Sequence, residues 1–374
     1  MGTAPRRSAW PSSARAASSG RGSDKRCGCA RRPSFASTLT SPSITGAAWR
    51  EFSLSSRFHP MANRKKSLGR KRNDPGAVHG LVRIDKPGGP TSHTVMRQVQ
   101  RTLGAGRSGH AGTLDPMATG LLVVLLGEGT KLSRWVMGCD KTYLARIMLG
   151  SETDTLDAQG EVIAEAEVPS EALDAENIRA AFSGLLGQVE QLPPVYSAIK
   201  KGGKTLMERA RAGEMPEVTP RSVRCDGLTL IAVEGREIVV RVACGTGYYV
   251  RSLARDLAER LGTLGHLSGL RRERVGPWSL EDARAPDAIA LHDLVPLAEC
   301  LPDVQQVVLG ELDVDHVRHG RRVTLEVEGH DEIMAVDPEG RAVAMLSRED
   351  ATQWRVARGF PHTEAEMKRE QNDG

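Results

Sequence analysis

The residue best suited to chemistry in this sequence is Asp115, the single acid in the segment 109–120, which also contains three glycines and one proline. Glycines permit tight turns and let a backbone approach a ligand closely. The apolar run 121–126 follows directly, and its length predicts a buried strand. A carboxylate on a tight loop at the mouth of such a strand is well placed for catalysis. The residues alone equally allow an aspartate that only hydrogen-bonds its own loop.

The elements around this loop alternate without a regular βαβ repeat, which favours an α+β fold. Thr91 or Ser92 can cap a helix whose apolar residues recur every four positions. Residues 250–261 predict a strongly amphipathic helix. The other predicted strands are 78–84, 141–149, 218–233 and 237–244, and the other predicted helices are 131–137, 177–186 and 204–211.

Composition predicts four segments. Residues 1–76 are a basic extension rich in Ser, Ala and Arg, which indicates disorder, an organelle transit peptide, or an overlong gene start with Met61 as the true first residue. Residues 77–295 are expected to form the catalytic domain. Within 301–361, the short runs 322–327, 333–336 and 342–346 predict a small β-rich domain. A flexible tail, 362–374, is expected to follow.

The overall composition excludes some function classes. The net charge of +4 and the pI of about 8.8 are compatible with nucleic-acid binding, but also with solubility alone. No apolar run approaches the roughly 18 residues of a membrane span. The six cysteines form no Cys-x-x-Cys pair, which disfavours a zinc site and favours buried, reduced thiols. The sequence also lacks a P-loop and a dinucleotide fingerprint, so we expect no cofactor and no metal.

Several blocks of the chain resemble, in order, those of the TruB pseudouridine synthases. The resemblance runs from about Val78 to about Trp278, and more weakly to Leu346. Tyr248 and Met207 depart from the pattern, at positions where the family often has Thr and an aromatic residue. The matching blocks are Gly109-His110-Ala111-Gly112-Thr113-Leu114-Asp115-Pro116 with Ala118-Thr119-Gly120, Asp85-Lys86-Pro87 with Thr91-Ser92, Lys141-Thr142-Tyr143, Leu149-Gly150 with Thr153-Asp154-Thr155-Leu156-Asp157, Leu192-Pro193-Pro194-Val195-Tyr196-Ser197-Ala198-Ile199-Lys200, Gly247-Tyr248-Tyr249-Val250-Arg251-Ser252-Leu253, and Gly265-His266-Leu267 with Leu270-Arg271-Arg272.

This resemblance implies a pseudouridine synthase fold with a mixed, mainly antiparallel sheet, followed by a PUA-like RNA-binding domain. It implies that Asp115 acts as nucleophile or proton acceptor. It also implies that Arg251 is the cation that keeps this carboxylate ionised, because burial alone raises a carboxyl pKa. By spacing alone, Arg251 would be a solvated helix arginine.

The resemblance further implies five substrate-binding residues. Tyr143 stacks on the flipped base, and Tyr249 packs in the same pocket; their alternative is ordinary strand packing. His110 helps to displace the base, and Leu270 lines the uracil pocket. Lys86 supports the catalytic loop or contacts phosphate, with an ordinary surface lysine as the alternative.

The expected partner is tRNA, with uridine 55 of the TΨC arm as the isomerised base. A basic cluster, Arg271, Arg272 and Arg274, is expected to meet tRNA phosphates. We expect a cytoplasmic monomer without membrane contact and without an obligatory protein partner. The alternatives are a guide-dependent, dyskerin-like synthase and a non-catalytic tRNA-binding or folding factor.

Overall fold

The computed structural model describes residues 78–197, 199–214 and 217–360. The predictions for the extension 1–76, including a start at Met61, and for the tail 362–374 therefore lie outside the described residues. No helix in the described ranges is long and apolar enough to cross a membrane.

The described chain contains two larger sheets and the helices that pack on them. The helices are α1 Ser92–Thr102, α2 Ser133–Gly138, α3 Ala175–Phe182, α4 Leu206–Arg211, α5 Val250–Arg260 and α6 Glu311–Arg318. The strands are β1 Gly80–Lys86, β2 Ser108–His110, β3 Thr119–Leu126, β4 Lys141–Leu149, β5 Ser151–Thr153, β6 Val162–Glu165, β7 Gly187–Gln191, β8 Lys200–Lys201, β9 Lys204–Thr205, β10 Arg221–Glu234, β11 Glu237–Cys244, β12 Gly265–Val275, β13 Trp278–Ser279, β14 Gln306–Val308, β15 Val323–Thr324, β16 Glu332–Val336, β17 Ala342–Arg348 and β18 Gln353–Gly359.

The first sheet has nine strands along the path β1-β3-β12-β4-β11-β10-β7, with β2 beside β3 and β13 beside β12. The pairing of β3 with β12 is parallel, whereas the other pairings in this sheet are antiparallel. The α+β class and the mixed, mainly antiparallel sheet are thus confirmed.

Strand β3 is buried along its whole length and separates two hydrophobic cores. Side chains alternate between the two faces of a strand. Leu122 and Val124 accordingly face a core that includes residues of α1 and α5, whereas Leu121 and Val123 face a core that includes α2 and part of the C-terminal sheet. This double burial explains why the segment reads as a continuous apolar run rather than as an alternating one.

The N-terminal turns of helices α1 and α5 both contact the loop that carries Asp115. The Thr91 hydroxyl accepts a hydrogen bond from the backbone of Thr94 and caps α1, as the sequence predicted. Helix α5 buries Leu253 and Leu257 on the predicted face. Arg251, in its first turn, is buried as well, and this burial brings its charge to the site.

The second sheet has five strands in the order β14-β16-β17-β18-β15 and packs against α6. Its contact with the catalytic part of the chain includes a contact of Glu332 on β16 with helix α2. The Glu332 carboxylate accepts hydrogen bonds from Arg134 and from Trp135 Nε1, the latter at 2.7 Å. The three predicted C-terminal strands are present, while β14, β18 and α6 were not predicted.

Candidate active site

Asp115 lies on the loop between β2 and β3, and hydrogen bonds on both sides fix that loop. The buried Ser92 hydroxyl donates to the Leu114 carbonyl and accepts from the Leu114 amide, both at 2.8 Å. The Gly89 amide donates to the Pro116 carbonyl at 2.8 Å. The backbone is therefore held immediately before and after the carboxylate.

Lys86 also binds this loop. Its side chain is fully buried, and its Nζ donates to the carbonyls of Pro87, Pro116 and Ala118 at 3.0, 3.1 and 2.7 Å. Burial lowers the pKa of Lys86 to about 8, against the opposing effect of Asp115. The interpretation of Lys86 as a surface lysine is wrong, because the side chain is enclosed and bound to the loop.

Asp115 forms an ion pair with Arg251. Arg251 Nε lies 3.0 Å from Asp115 Oδ2, and the Asp115 side chain stays 33% exposed while that of Arg251 is 9% exposed. Arg251 also donates to the carbonyls of Thr155 and Tyr196 at 3.0 and 2.9 Å. Burial raises the pKa of Asp115, and Arg251 acts most strongly against that rise. The helix arginine thus favours an ionised carboxylate that remains open on one side.

Asp157 is a third charged member that sequence reasoning missed. Its buried carboxylate lies 3.4 Å from Arg251 Nη1 and accepts hydrogen bonds from the Thr155 hydroxyl and the Gln159 amide at 2.9 and 3.0 Å. The sequence analysis treated 154–157 as turn chemistry. That is correct locally, since Leu156 turns with φ of 61°, but nothing in the pattern relates this turn to a helix about 95 residues later.

The two predicted pocket tyrosines approach Asp115 from separate elements. Tyr143 is buried on β4, and Tyr249 immediately precedes α5. Gln191 fixes Tyr249 because its side-chain amide donates to the Tyr249 carbonyl and accepts from the Tyr249 amide, at 3.0 and 2.8 Å. Burial raises the pKa of both hydroxyls, and Asp115 contributes to both shifts. Both rings therefore lie within electrostatic range of the carboxylate.

Leu270 and His110 join the site less directly. Leu270 is buried on β12, and its carbonyl accepts from the Thr119 hydroxyl at 3.3 Å. His110 ends β2, and its buried Nδ1 has no hydrogen-bond partner among the described residues. Burial lowers the pKa of His110, and Arg272 and His93 lower it further. A neutral imidazole at the rim of the loop is the form that this environment favours.

The predicted basic cluster does not act as one surface. Arg274 is exposed, and Arg271 pairs with Asp85 at 2.8 Å. Arg272 is only 1% exposed, so the prediction that it meets tRNA phosphates is wrong. Residues along a strand alternate between faces, and on β12 this alternation turns Arg272 into the interior.

The site offers a positioned, half-exposed carboxylate beside aromatic and apolar side chains. Such a group can attack an electrophilic carbon or accept a proton, provided that it is ionised. Within the described ranges, no three His, Cys, Asp or Glu side chains lie close enough together to hold a metal ion.

Comparisons with known proteins agree with the sequence blocks. The family model described as TruB family pseudouridylate synthase (N terminal domain) matches residues 100–250. The tRNA pseudouridine synthase B of Leifsonia xyli subsp. xyli is 40% identical over 280 residues, which cover 71% of this chain and 92% of that protein. The tRNA pseudouridine synthase B of Aromatoleum aromaticum is 48% identical over 206 residues, or 55% of this chain and 66% of that one.

Solved structures share the fold at lower identity. A chain from an archaeal box H/ACA sRNP Nop10-Cbf5 complex is 21% identical with a TM-score of 0.57, and the match covers 78% of this chain and 88% of that one. A chain from an H/ACA RNP bound to a substrate RNA is 20% identical with a TM-score of 0.56, over 83% and 98% of the two chains. These structures show the fold alone, whereas the 40% identity to the Leifsonia protein, 92% of which is covered, shows that the chain belongs to the TruB family of pseudouridine synthases.

Proposed function

We propose that this protein isomerises uridine 55 in the TΨC arm of tRNA to pseudouridine, as a standalone enzyme. The observation that carries the proposal is the Asp115–Arg251 ion pair at 3.0 Å, in which a half-exposed carboxylate faces a buried guanidinium. The relatives at 40–48% identity named tRNA pseudouridine synthase B support the substrate and the reaction.

The chemistry needs little beyond this carboxylate. The N1–C1′ bond of uridine breaks, the base turns, and a C5–C1′ bond forms, while the proton lost from C5 is balanced by the one gained at N1. Nothing is oxidised or consumed, so the reaction requires no redox cofactor. Asp115 acts as nucleophile or proton acceptor, and Arg251 favours its ionised form and fixes its orientation.

The substrate-binding roles are part of the proposal, and the positions of the side chains support them. A uridine in a folded tRNA arm is stacked, so it must leave the stack before Asp115 can reach it, and aromatic faces offset the lost stacking. Tyr143 offers such a face, and Tyr249 borders the same pocket. Leu270 supplies apolar lining for the uracil, and His110 displaces the base from the rim of the loop.

Lys86 is proposed to act on the loop rather than on the RNA. Its three carbonyl contacts support a role in holding the loop that carries Asp115 rather than in binding phosphate. A fully buried ammonium has no surface left for an RNA backbone.

The remaining parts of the proposal concern the whole chain. Residues 77–295 form the catalytic domain and 301–361 a PUA-like RNA-binding domain. The enzyme acts in the cytoplasm as a monomer and needs no protein partner. The modest basic excess of the chain supports attraction to a polyanion.

Pseudouridine mapping tests the function directly. Purified protein is incubated with an unmodified tRNA transcript, without cofactor, metal or guide RNA, beside a second transcript that carries cytidine at position 55. We expect pseudouridine at position 55 of the first transcript and no product from the second. Product at another uridine of both transcripts would overturn the assignment of the site.

A guide-dependent enzyme is the rival within the same fold, since the neighbours with TM-scores of 0.56–0.57 come from H/ACA complexes. At 20–21% identity these show the fold alone, whereas the relatives at 40% identity favour the standalone reaction. A protein that binds the transcript but forms product only with added guide RNA and partner proteins would establish the rival. Binding without product under either condition would indicate a non-catalytic factor.

A further inference from the structure

Arg272 is a buried cation that the proposed chemistry does not use. It is 1% exposed and, among the described residues, forms no ion pair with a carboxylate. Burying a charge without an opposite charge is costly, and such groups persist where specific hydrogen bonds compensate for lost hydration. The partners of Arg272 therefore indicate what it does.

Those partners are two backbone carbonyls, one before Asp115 in the sequence and one after it. Arg272 Nε donates to the Leu121 carbonyl at 2.7 Å, and Nη2 donates to the Gly112 carbonyl at 3.1 Å. Asp115 lies between these two anchor points. We propose that Arg272 is a positioning residue, which joins the two ends of the loop 112–121 and thereby fixes Asp115 relative to the nucleotide pocket. This inference rests on the proposed function.

The backbone of Arg272 holds the same loop independently. Gly120 pairs with Arg272 in the parallel β3–β12 register. A Cβ on Gly120 would lie 2.4 Å from the Arg272 carbonyl oxygen and 2.8 Å from its amide nitrogen, so only glycine allows this approach. Gly120 also has a φ of 95°, which favours glycine. Backbone and side chain of one residue thus hold the loop together.

Arg272 also lies beside the base-stacking tyrosine. In the β12–β4 register it is opposite Tyr143, and its positive charge acts against the rise in the pKa of the Tyr143 hydroxyl that burial causes. A planar guanidinium presents five donors in a fixed fork, so it can bind two separate carbonyls at once. Arg272 is therefore next to both the loop that carries Asp115 and the tyrosine on which the base stacks.

The contribution of Arg272 differs from that of Lys86. Lys86 binds the Pro116 and Ala118 carbonyls, just after Asp115, whereas Arg272 binds the two ends of the loop. Loss of either cation is therefore expected to displace Asp115, but through contacts at different points of the loop.

The test uses Arg272→Met and Arg272→Lys in the full chain. Lysine keeps the charge but replaces the two separate donors, Nε and Nη2, by one nitrogen, so the fixed fork that joins the two carbonyls is lost. For each variant, the single-turnover rate on an unmodified tRNA transcript, the transcript Kd and the hydrogen exchange of residues 109–121 are measured. Arg348→Met is the matched control, because Arg348 also donates to backbone carbonyls, those of His330, Val327 and Ala351, but in the second sheet.

We expect the single-turnover rate of both Arg272 variants to fall about 10- to 100-fold, the cost of a displacement of about 1 Å. Exchange within 109–121 should accelerate, while the Kd should stay within about three-fold because Arg272 does not reach the surface. The control should lose thermal stability but keep the wild-type rate at temperatures where it is folded.

Two results would overturn the inference. One is a wild-type single-turnover rate in folded Arg272→Lys; the other is a rate loss that comes with unchanged exchange in 109–121. If Arg272→Met fails to fold, the lysine variant decides. If the wild-type protein itself forms no pseudouridine, the proposed function fails, and the exchange of 109–121 still decides whether Arg272 holds the loop.

Discussion

Replacing Lys86 by Met should weaken both the fold and the reaction. The substitution keeps a similar apolar stem but removes the Nζ that donates to three carbonyls; that of Ala118 is buried, and that of Pro116 keeps the Gly89 amide as a second partner. A hydrogen bond donated by a charged group contributes about 1.5–3 kcal/mol, so we expect the loss of these contacts to cost about 3 kcal/mol. For a domain of this size that lowers the Tm by about 6–12 °C.

The effect on catalysis follows from the position of the lost contacts. Two of the carbonyls, those of Pro116 and Ala118, lie just after Asp115 in the same turn. A shift of that turn by about 1 Å reduces the rate of the chemical step about 100-fold. The assay is a single-turnover rate on unmodified tRNA, together with a thermal unfolding curve.

Lys131→Met is the matched control. Lys131 also donates to a backbone carbonyl, that of Gly359 at 2.6 Å, but at a partly exposed position far from the loop. We expect this variant to lose about 1 kcal/mol or less and to keep the wild-type rate. The reasoning about Lys86 is refuted if Lys86→Met changes the Tm and the rate no more than Lys131→Met does.

Three further predictions follow from the same contacts. With the pKa of Lys86 lowered to about 8, the rate should fall as pH rises through 8, since the neutral amine has two hydrogens for three carbonyls. Between pH 8 and 10.5 the unfolded state still binds the Lys86 proton and the folded state does not, so Lys86 should make the free energy of unfolding increase with pH in this range. A rate that stays flat up to pH 9.5 would contradict the expectation for the rate. Asp157→Asn keeps the shape but removes one charge beside Arg251, so we expect a loss of about 2 kcal/mol in urea unfolding and a lower single-turnover rate, with the exposed Asp287→Asn as control. Glu332→Gln weakens the contact between the second sheet and Trp135 on α2, and should lower the Tm without changing the single-turnover rate; a slower chemical step would contradict a purely structural role of Glu332.

Helices and strands whose buried faces follow from their own residue pattern could be predicted from the sequence. Strands β4 and β11 have the predicted bounds, because their apolar residues recur with a strand period and turn residues flank them. The Thr91 cap of α1 was also readable, since capping depends on a side chain and an amide three residues away.

Elements whose burial depends on distant partners were not predictable. Strand β12 was missed because three arginines and a glutamate interrupt its apolar residues. It is central in the sheet only because β3 and β4 pair with its two edges. Helix α6, with its charged residues, was missed for the same reason.

The candidate site shows the same division. Asp115 and its loop were identifiable from local chemistry and family resemblance. The inward turn of Arg251 follows from its contact with the carbonyl of Thr155, about 95 residues earlier in the chain, and the role of Asp157 follows from that same contact. The burial of Arg272 likewise depends on the register of β12, which a single sequence does not specify.

The most direct test of the proposed mechanism is the single-turnover formation of pseudouridine by Asp115→Asn, with the transcript Kd measured in parallel. Asn keeps the shape of the side chain and removes only the charge and the nucleophile, and Asp287→Asn serves as the matched exposed control. We predict that Asp115→Asn binds the transcript with a Kd close to the wild-type value and forms no detectable product, while the control remains fully active. Product formation by folded Asp115→Asn at a rate near that of the wild type would contradict the assignment of Asp115 as the catalytic carboxylate.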